Sequence, residues 1–298
     1  MELKKESFTI KKGLDIQLEG EAVRNLKTHL SSKSYIFPTD FRWFVPKLLV
    51  KEGDPVTVGT PLFCKKRDER VCVVSPVNGK ITQIVRGEKR VLEVIEIENE
   101  ATSIPKRCEI PENLSSSIIQ SLMLQNGLWP MLRQRPFSVI PSPDKKPKSL
   151  FISCFDSSPL APDFFFLLNN QKEMWQKGVE ILKLLLGEIP IYIGLNSNDN
   201  NSIFEETKDV NIRYFSGPHP AGNVGTQIHL VDPINKGESV WFIHPQDVVT
   251  IGRFFLKGEL SFDRIVALTG PELTETGYWK VNYGSDLKPL LMPLLYSD

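Results

Sequence analysis

A small β-sandwich followed by an α/β layer is the fold this sequence predicts, and three features predict it. Residues 50–97 hold two short β-rich runs, each broken by turn chemistry. Past residue 113 the spacing of apolar side chains changes from two to about 3.6. From Lys148 onward apolar strands alternate with amphipathic helices, the pattern of a largely parallel sheet. At 298 residues the chain has room for two domains and a piece of a third. The changes of pattern place the sandwich at 1–104, the α/β domain at 105–262, and a last strand with the start of a further region at 263–298. The class is α/β, or α+β with the sandwich counted in.

Taken in order, Phe8 and Ile10, then Leu14, Ile16 and Leu18, alternate as two short strands around a turn at Gly13. Residues 21–34 are polar and irregular. Residues 35–45 are rich in aromatic side chains and lead into the sandwich. Phe41, Arg42, Trp43 and Phe44 there predict core and inter-domain contact, with a ligand role as the alternative. Glu52-Gly53-Asp54-Pro55 and Val58-Gly59-Thr60-Pro61 are turns, and Asn78-Gly79 is a strong hairpin signal. Residues 65–70 are a charged, solvated tip between the two half-motifs. Residues 91–97 alternate again as a closing strand, and 101–111, bounded by Pro105 and Pro111, are a linker.

Leu114, Ile118, Ile119, Leu122 and Met123 then share one helical face, with Asn113 as N-cap and Gly127 as stop. Strands are predicted at 149–155, 189–195, 210–215, 239–243 and 265–268. Helices are predicted at 173–186, closed by Gly187, and at 246–256, closed by Gly258. Ligands of such layers sit at the loops beyond the strand ends. One such loop, residues 216–230, carries His219, Gly222, Gly225 and His229 among glycines and prolines. It has neither dinucleotide nor P-loop spacing, and no strong helix signal follows it. A structural loop and a ligand-facing one are both open readings.

Composition narrows the function. Lys and Arg together number 36, as do Asp and Glu, so the net charge of zero gives no electrostatic reason to expect nucleic acid or an anionic membrane surface. Cys64, Cys72, Cys108 and Cys154 form no C-x-x-C pair, which argues against a zinc knuckle or a cysteine-bound cluster and suits a reducing compartment. The first residues have no apolar core of a signal peptide, and runs such as 164–168 are far too short to span a bilayer. His219, His229 and His244 lack metal-site spacing, and Ser153, Ser157 and Ser216 lack a nucleophile elbow. No catalytic constellation is expected.

The sandwich resembles the biotinyl and lipoyl carriers, but the lysines of residues 65–70 lack the flanking residues of a carrier lysine, so the module is expected to be scaffold. A carrier remains the reading that intact mass would test. Across the whole chain the sequence resembles the A subunits of the sodium-translocating NADH:quinone oxidoreductases. The resemblance rests on Lys11-Lys12-Gly13-Leu14-Asp15, Lys51-Glu52-Gly53-Asp54, Ser75-Pro76-Val77-Asn78-Gly79 and Gly127-Leu128-Trp129. It continues through Arg135-Pro136-Phe137, Gly217-Pro218-His219-Pro220-Ala221-Gly222, Gln246-Asp247-Val248 and Thr269-Gly270-Pro271. It implies a barrel-sandwich domain followed by a Rossmann-like α/β domain. It also implies a non-catalytic subunit, peripheral at the cytoplasmic face of the bacterial inner membrane, within a six-subunit complex that passes electrons from NADH to ubiquinone and exports Na⁺. NAD, flavins and iron–sulfur centres would belong to the neighbouring subunits, with no covalent cofactor or metal here. Family chains continue past this C-terminus into a β-grasp-like region that residues 263–298 would only begin. The cluster-bearing subunit of ferredoxin:NAD⁺ complexes shares both folds but needs cysteine clusters that are missing from this sequence.

The resemblance links this polypeptide to quinone, which needs an apolar slot and donors for its carbonyl oxygens. Residues 129–137 have that mix. Trp129, Met131, Leu132 and Phe137 are candidates for the slot; Arg133, Gln134 and Arg135 are candidate donors. His219, with Gly222 and Gly225 of its loop, is a second candidate element, the imidazole of His219 or of His229 as a proton carrier. The alternatives are a rigid connector with its arginines in salt bridges, and a purely structural interaction subunit with no ligand of its own.

Overall fold

The structure, a computed structural model, describes residues 6–100, 104–199 and 202–296. The start of the chain, part of the linker at 101–103, positions 200 and 201 and the last two positions lie outside the described residues. Two antiparallel sheets face each other in the sandwich. One has the order Lys33–Ile36, Leu92–Asn99, Gly79–Arg86, Pro55–Val56; the other Pro46–Leu48, Pro61–Lys65, Asp68–Val74. Alternate residues of a strand point one way, so Phe63, Val71, Ile81, Ile95 and Ile97 fill the space between the sheets and are buried. The turns at 52–55 and 58–61 form on Gly53 and Gly59, with φ of 91° and 87°, which side chains with a Cβ seldom adopt.

Two expectations in this region are corrected. At Asn78-Gly79 the chain crosses from one sheet to the other instead of forming a hairpin. Asn78 Oδ1 accepts a hydrogen bond from the Val58 amide at 2.9 Å, and a Cβ on Gly79 would meet the Glu98 carbonyl oxygen at 2.1 Å. That signal therefore marks a close backbone approach. The tight hairpin lies at Lys66 and Arg67, inside the charged tip. Across it Cys64 and Cys72 stand opposite each other and form a disulfide. The picture of four unrelated thiols is thus corrected, and so is the compartment argument built on it.

The α/β layer has six strands in the order Ser7–Thr9, Asn211–Ser216, Ile191–Asn196, Leu150–Ser153, Val240–Phe242, Arg133–Arg135. Only the last pair is antiparallel. In chain order the four central strands lie third, second, first and fourth, so the direction of winding reverses between Leu150–Ser153 and Val240–Phe242. Ligand crevices open at such a reversal. Helices Ser116–Gln125, Lys172–Leu186 and Pro245–Lys257 form where the period predicts them. The first is capped by Ser115, whose hydroxyl accepts from the Ile118 amide, and not by Asn113.

Three further departures follow from tertiary pairing. Residues 14–18 make no second strand; only Leu14 bridges to His219. Residues 21–34 contain the strand Leu26–Thr28, which joins Gly277–Asn282 and Asp263–Leu268 in a separate three-stranded sheet. The strand predicted at 265–268 therefore exists but does not extend the parallel sheet. A helix, Val224–Val231, does follow the glycine-rich loop, begun by Asn223, whose side chain accepts from the Gly225 amide. One large apolar cluster runs through the sandwich (Phe63, Ile81), the connector (Trp129, Leu132) and the α/β layer (Trp175, Phe254), with smaller clusters around Phe151, Phe215 and Trp279 beside it.

Candidate functional site at the junction

A cavity of about 670 Å³ opens where the sandwich, the 127–133 connector, the α/β layer and the 262–287 region meet. Its apolar wall includes Phe41, Met131, Phe242 and Phe262; its polar wall includes Arg133, His244, Asp247, Arg264 and Tyr283. This is the size and mixture of a small-molecule site. It lies beside the end of strand Val240–Phe242, next to the winding reversal.

Helix Pro245–Lys257 supplies much of the polar wall. His244 caps it, its Nδ1 accepting from the Gln246 amide at 3.2 Å, while the ring packs edge-on against Phe164. Burial, aided by the Arg264 charge, pushes the His244 pKa down to about 4. Gln246 clips the neighbouring strand, its amide donating to the Ile265 carbonyl and accepting from the Ile265 amide. That fixes Arg264 in register beside Asp247. Arg264 Nη1 donates to Asp247 Oδ1 and to Tyr283 Oη, both at 2.6 Å, and Tyr283 Oη donates to the same Asp247 oxygen at 2.5 Å. Burial and the Asp247 charge push the Tyr283 phenol up, so it stays a neutral donor. Burial works against the Arg264 charge, but Asp247 and Tyr283 outweigh it and hold the pKa above its usual value.

Arg133 stands elsewhere on the wall. It follows the short turn Trp129–Met131, and strand Arg133–Arg135 sets it opposite Phe242. Its guanidinium lies over the Phe41 ring, 5.5 Å from the centroid, and Nη1 donates to the carbonyls of Pro130 and Leu132. Burial pulls its pKa down, opposed by Asp247, Tyr283 and Asp40.

Of the residues predicted from sequence, Arg133 lines the cavity, with Met131 from the same segment. Trp129 is buried, donating its indole N–H to the Pro141 carbonyl at 3.0 Å and packing edge-on against Trp241. It anchors the connector. Arg135 stacks on Phe242 at 4.9 Å, and Phe137 lies exposed against Trp43 at 4.8 Å. His219, Gly222 and Gly225 sit together in another place, at the ends of the parallel strands. There Ser157 Oγ lies 3.0 Å from His219 Nδ1 and accepts from the Gly222 amide at 2.8 Å. A Cβ on Gly222 would meet the Ser157 nitrogen at 2.4 Å, so this loop packs closely against the one that follows strand Leu150–Ser153. Sequence reasoning missed His244, Asp247, Arg264 and Tyr283 as site residues. The only signal was the match at Gln246-Asp247, which marks a family resemblance and not a role.

Among the described residues no cluster of His, Cys, Asp or Glu could hold a metal ion, and no helix is long and apolar enough to cross a membrane. Residues 8–100 match the NqrA N-terminal barrel-sandwich hybrid domain, and residues 114–260 match the NqrA second alpha/beta domain. The chain is 34% identical over 291 residues to the A subunit of the Na(+)-translocating NADH-quinone reductase of Actinobacillus pleuropneumoniae serotype 5b, covering 95% of this chain and 64% of that protein. Identity is 34% over 288 residues to the same protein of Haemophilus influenzae and 35% over 290 residues to that of Glaesserella parasuis serovar 5, at the same coverage. The chain thus spans 64% of the length of these relatives. A solved NAD⁺-reducing [NiFe]-hydrogenase aligns with 50% of this chain and 33% of its own, at 11% identity and a TM-score of 0.37, too slight a likeness to carry an argument. With both domain matches in chain order and a third of the residues shared over nearly its whole length, the chain belongs to the NqrA family, the A subunits of the Na⁺-translocating NADH-quinone reductases.

Proposed function

We propose that this chain works as the A subunit of a Na⁺-translocating NADH:ubiquinone reductase, at the cytoplasmic face of the bacterial inner membrane, and contributes a quinone site at the junction cavity. It acts through its neighbours in the six-subunit complex, which would hold the NAD, flavin and iron–sulfur chemistry. The cavity carries the reading. Aromatic walls suit a planar ring, and the donors a quinone needs for its carbonyl oxygens are the guanidinium groups of Arg133 and Arg264. Domain boundaries at 104 and 262 would make this an inter-domain site. Calorimetric titration with a short-chain ubiquinone tests the proposal. Saturable binding that weakens about tenfold or more in Arg133→Gln supports it; heat of dilution alone would remove it.

A second reading, an interaction subunit with no ligand, is favoured by one observation. Trp43 and Phe137, 66% and 49% exposed, pack against each other at a tilt, with exposed Val45 two residues along the chain. Such an apolar patch suits a protein partner. On this reading quinone does not bind, and Trp43→Ser with Phe137→Ser blocks incorporation of the chain into the complex.

A further inference from the structure

The two guanidinium groups on the cavity wall are not equivalent. Arg264 is neutralised by Asp247 and shares Tyr283 with it. Arg133 makes no ion pair among the described residues. Its bonds go from Nη1 to two backbone carbonyls, leaving Nε and Nη2 without a partner there. Beneath it is the face of Phe41, which favours a cation but does not neutralise it.

We propose, resting on the quinone reading above, that the cavity selects ring ligands carrying an ionised ring oxygen, hydroxyquinones as a class, and that Arg133 is the residue that selects them. An unpaired cation at a wall of Phe41, Met131 and Phe242 is costly, and an anionic oxygen brought to it by a ligand relieves that cost. The same low-polarity surroundings make the pair stronger than it would be in water. The other charged groups facing the space do not cancel this. Asp247 is committed to Arg264 and Tyr283, and His244 is neutral at neutral pH. Asp40 is exposed to solvent, and the Asp286 carboxylate accepts from the Lys288 amide at 3.0 Å. Asp40 and Asp286 keep their charges at the rim, so the lining as a whole holds two guanidinium groups and three carboxylates; what the interior offers an anion is a local charge, the Arg133 guanidinium, which makes no ion pair among the described residues.

The test compares 2-hydroxy-1,4-naphthoquinone with its methyl ether, 2-methoxy-1,4-naphthoquinone, by calorimetry at neutral pH on the full chain. The ring hydroxyl is a vinylogous carboxylic acid and is ionised at that pH; the ether has the same ring and no charge. The hydroxyquinone is expected to bind at least about tenfold tighter. Arg133→Lys should retain the preference, and Arg133→Gln should erase it while the ether still binds. Equal binding of the two compounds to the unaltered chain overturns this inference and leaves the quinone reading standing. No binding of either compound, or of a short-chain ubiquinone, overturns both. A preference that survives Arg133→Gln overturns the assignment to Arg133.

Discussion

At the cavity wall the Asp247 carboxylate is the shared acceptor of a cation and a phenol, and the three side chains are not equally replaceable. Tyr283→Phe removes one donor and leaves the ion pair, so it should cost about 1–2 kcal/mol of stability in urea unfolding. Asp247→Ala strands Arg264 without its counter-charge and should cost more, about 3–5 kcal/mol. The reverse order would mean that the phenol, not the ion pair, holds this wall. His244 adds a pH dependence with a definite sign. Its pKa falls from 6.5 to about 4 on folding, so the unfolded chain takes up the proton first as pH drops. The stability it contributes is full above about pH 6.5 and is lost progressively toward pH 4, by roughly 3 kcal/mol. In His244→Asn the side chain can still cap the helix but cannot titrate. Urea midpoints at several pH values should then flatten in that window; an unchanged slope would exclude His244 as its source. Asp263 titrates lower. Burial would raise it, but Arg253 and Lys280 outweigh burial and hold it at about 2, so its own loss falls between pH 3.8 and 2. None of these groupings is legible in sequence. Asp247 lies on a helix, Arg264 on a strand and Tyr283 just past the next strand; the Gln246 clip sets Arg264 beside Asp247, and the ladder of Asp263–Leu268 with Gly277–Asn282 brings in Tyr283.

The elements themselves were largely legible, because their signals are local. Helices Lys172–Leu186 and Pro245–Lys257 carry apolar side chains at helical spacing and end at Gly187 and Gly258, each with positive φ. What the period does not say is how closely the two helices approach. Gly178 faces the Val248 carbonyl, and Gly252 faces the Met174 carbonyl, where a Cβ would come within 2.1 Å and 1.7 Å. Both obstacles are backbone, which cannot rotate away. Gly252→Ala should therefore destabilise by about 1–3 kcal/mol or more, although alanine is the better helix former by about 1 kcal/mol. A thermal melt in which Gly252→Ala is as stable as the parent would show that the helices can part at no cost. The same physics explains the misreadings. Asn78-Gly79 has hairpin chemistry, but its glycine serves the Glu98 carbonyl; Leu26–Thr28 has weak periodicity and is a strand only because Gly277–Asn282 lies beside it.

At the scale of the molecule, the continuous core decides how the chain should unfold. Phe63 of the sandwich, Leu132 of the connector and Phe254 of the α/β layer belong to one buried cluster, and the junction cavity lies among the segments that join them. A ligand held there touches residues from 35 to 287 and so contacts both matched domains and the 262–287 region. It should stabilise them together. With free ligand at about a hundred times Kd the gain is about 2.7 kcal/mol. For a chain of this size that should raise one cooperative transition by about 5 °C. A short-chain ubiquinone added before a calorimetric scan provides the check, with Arg133→Gln as the control that should lose about half of the shift or more. Two transitions, only one of which moves with ligand, would show that the sandwich and the α/β layer unfold independently and that the cavity belongs to one of them.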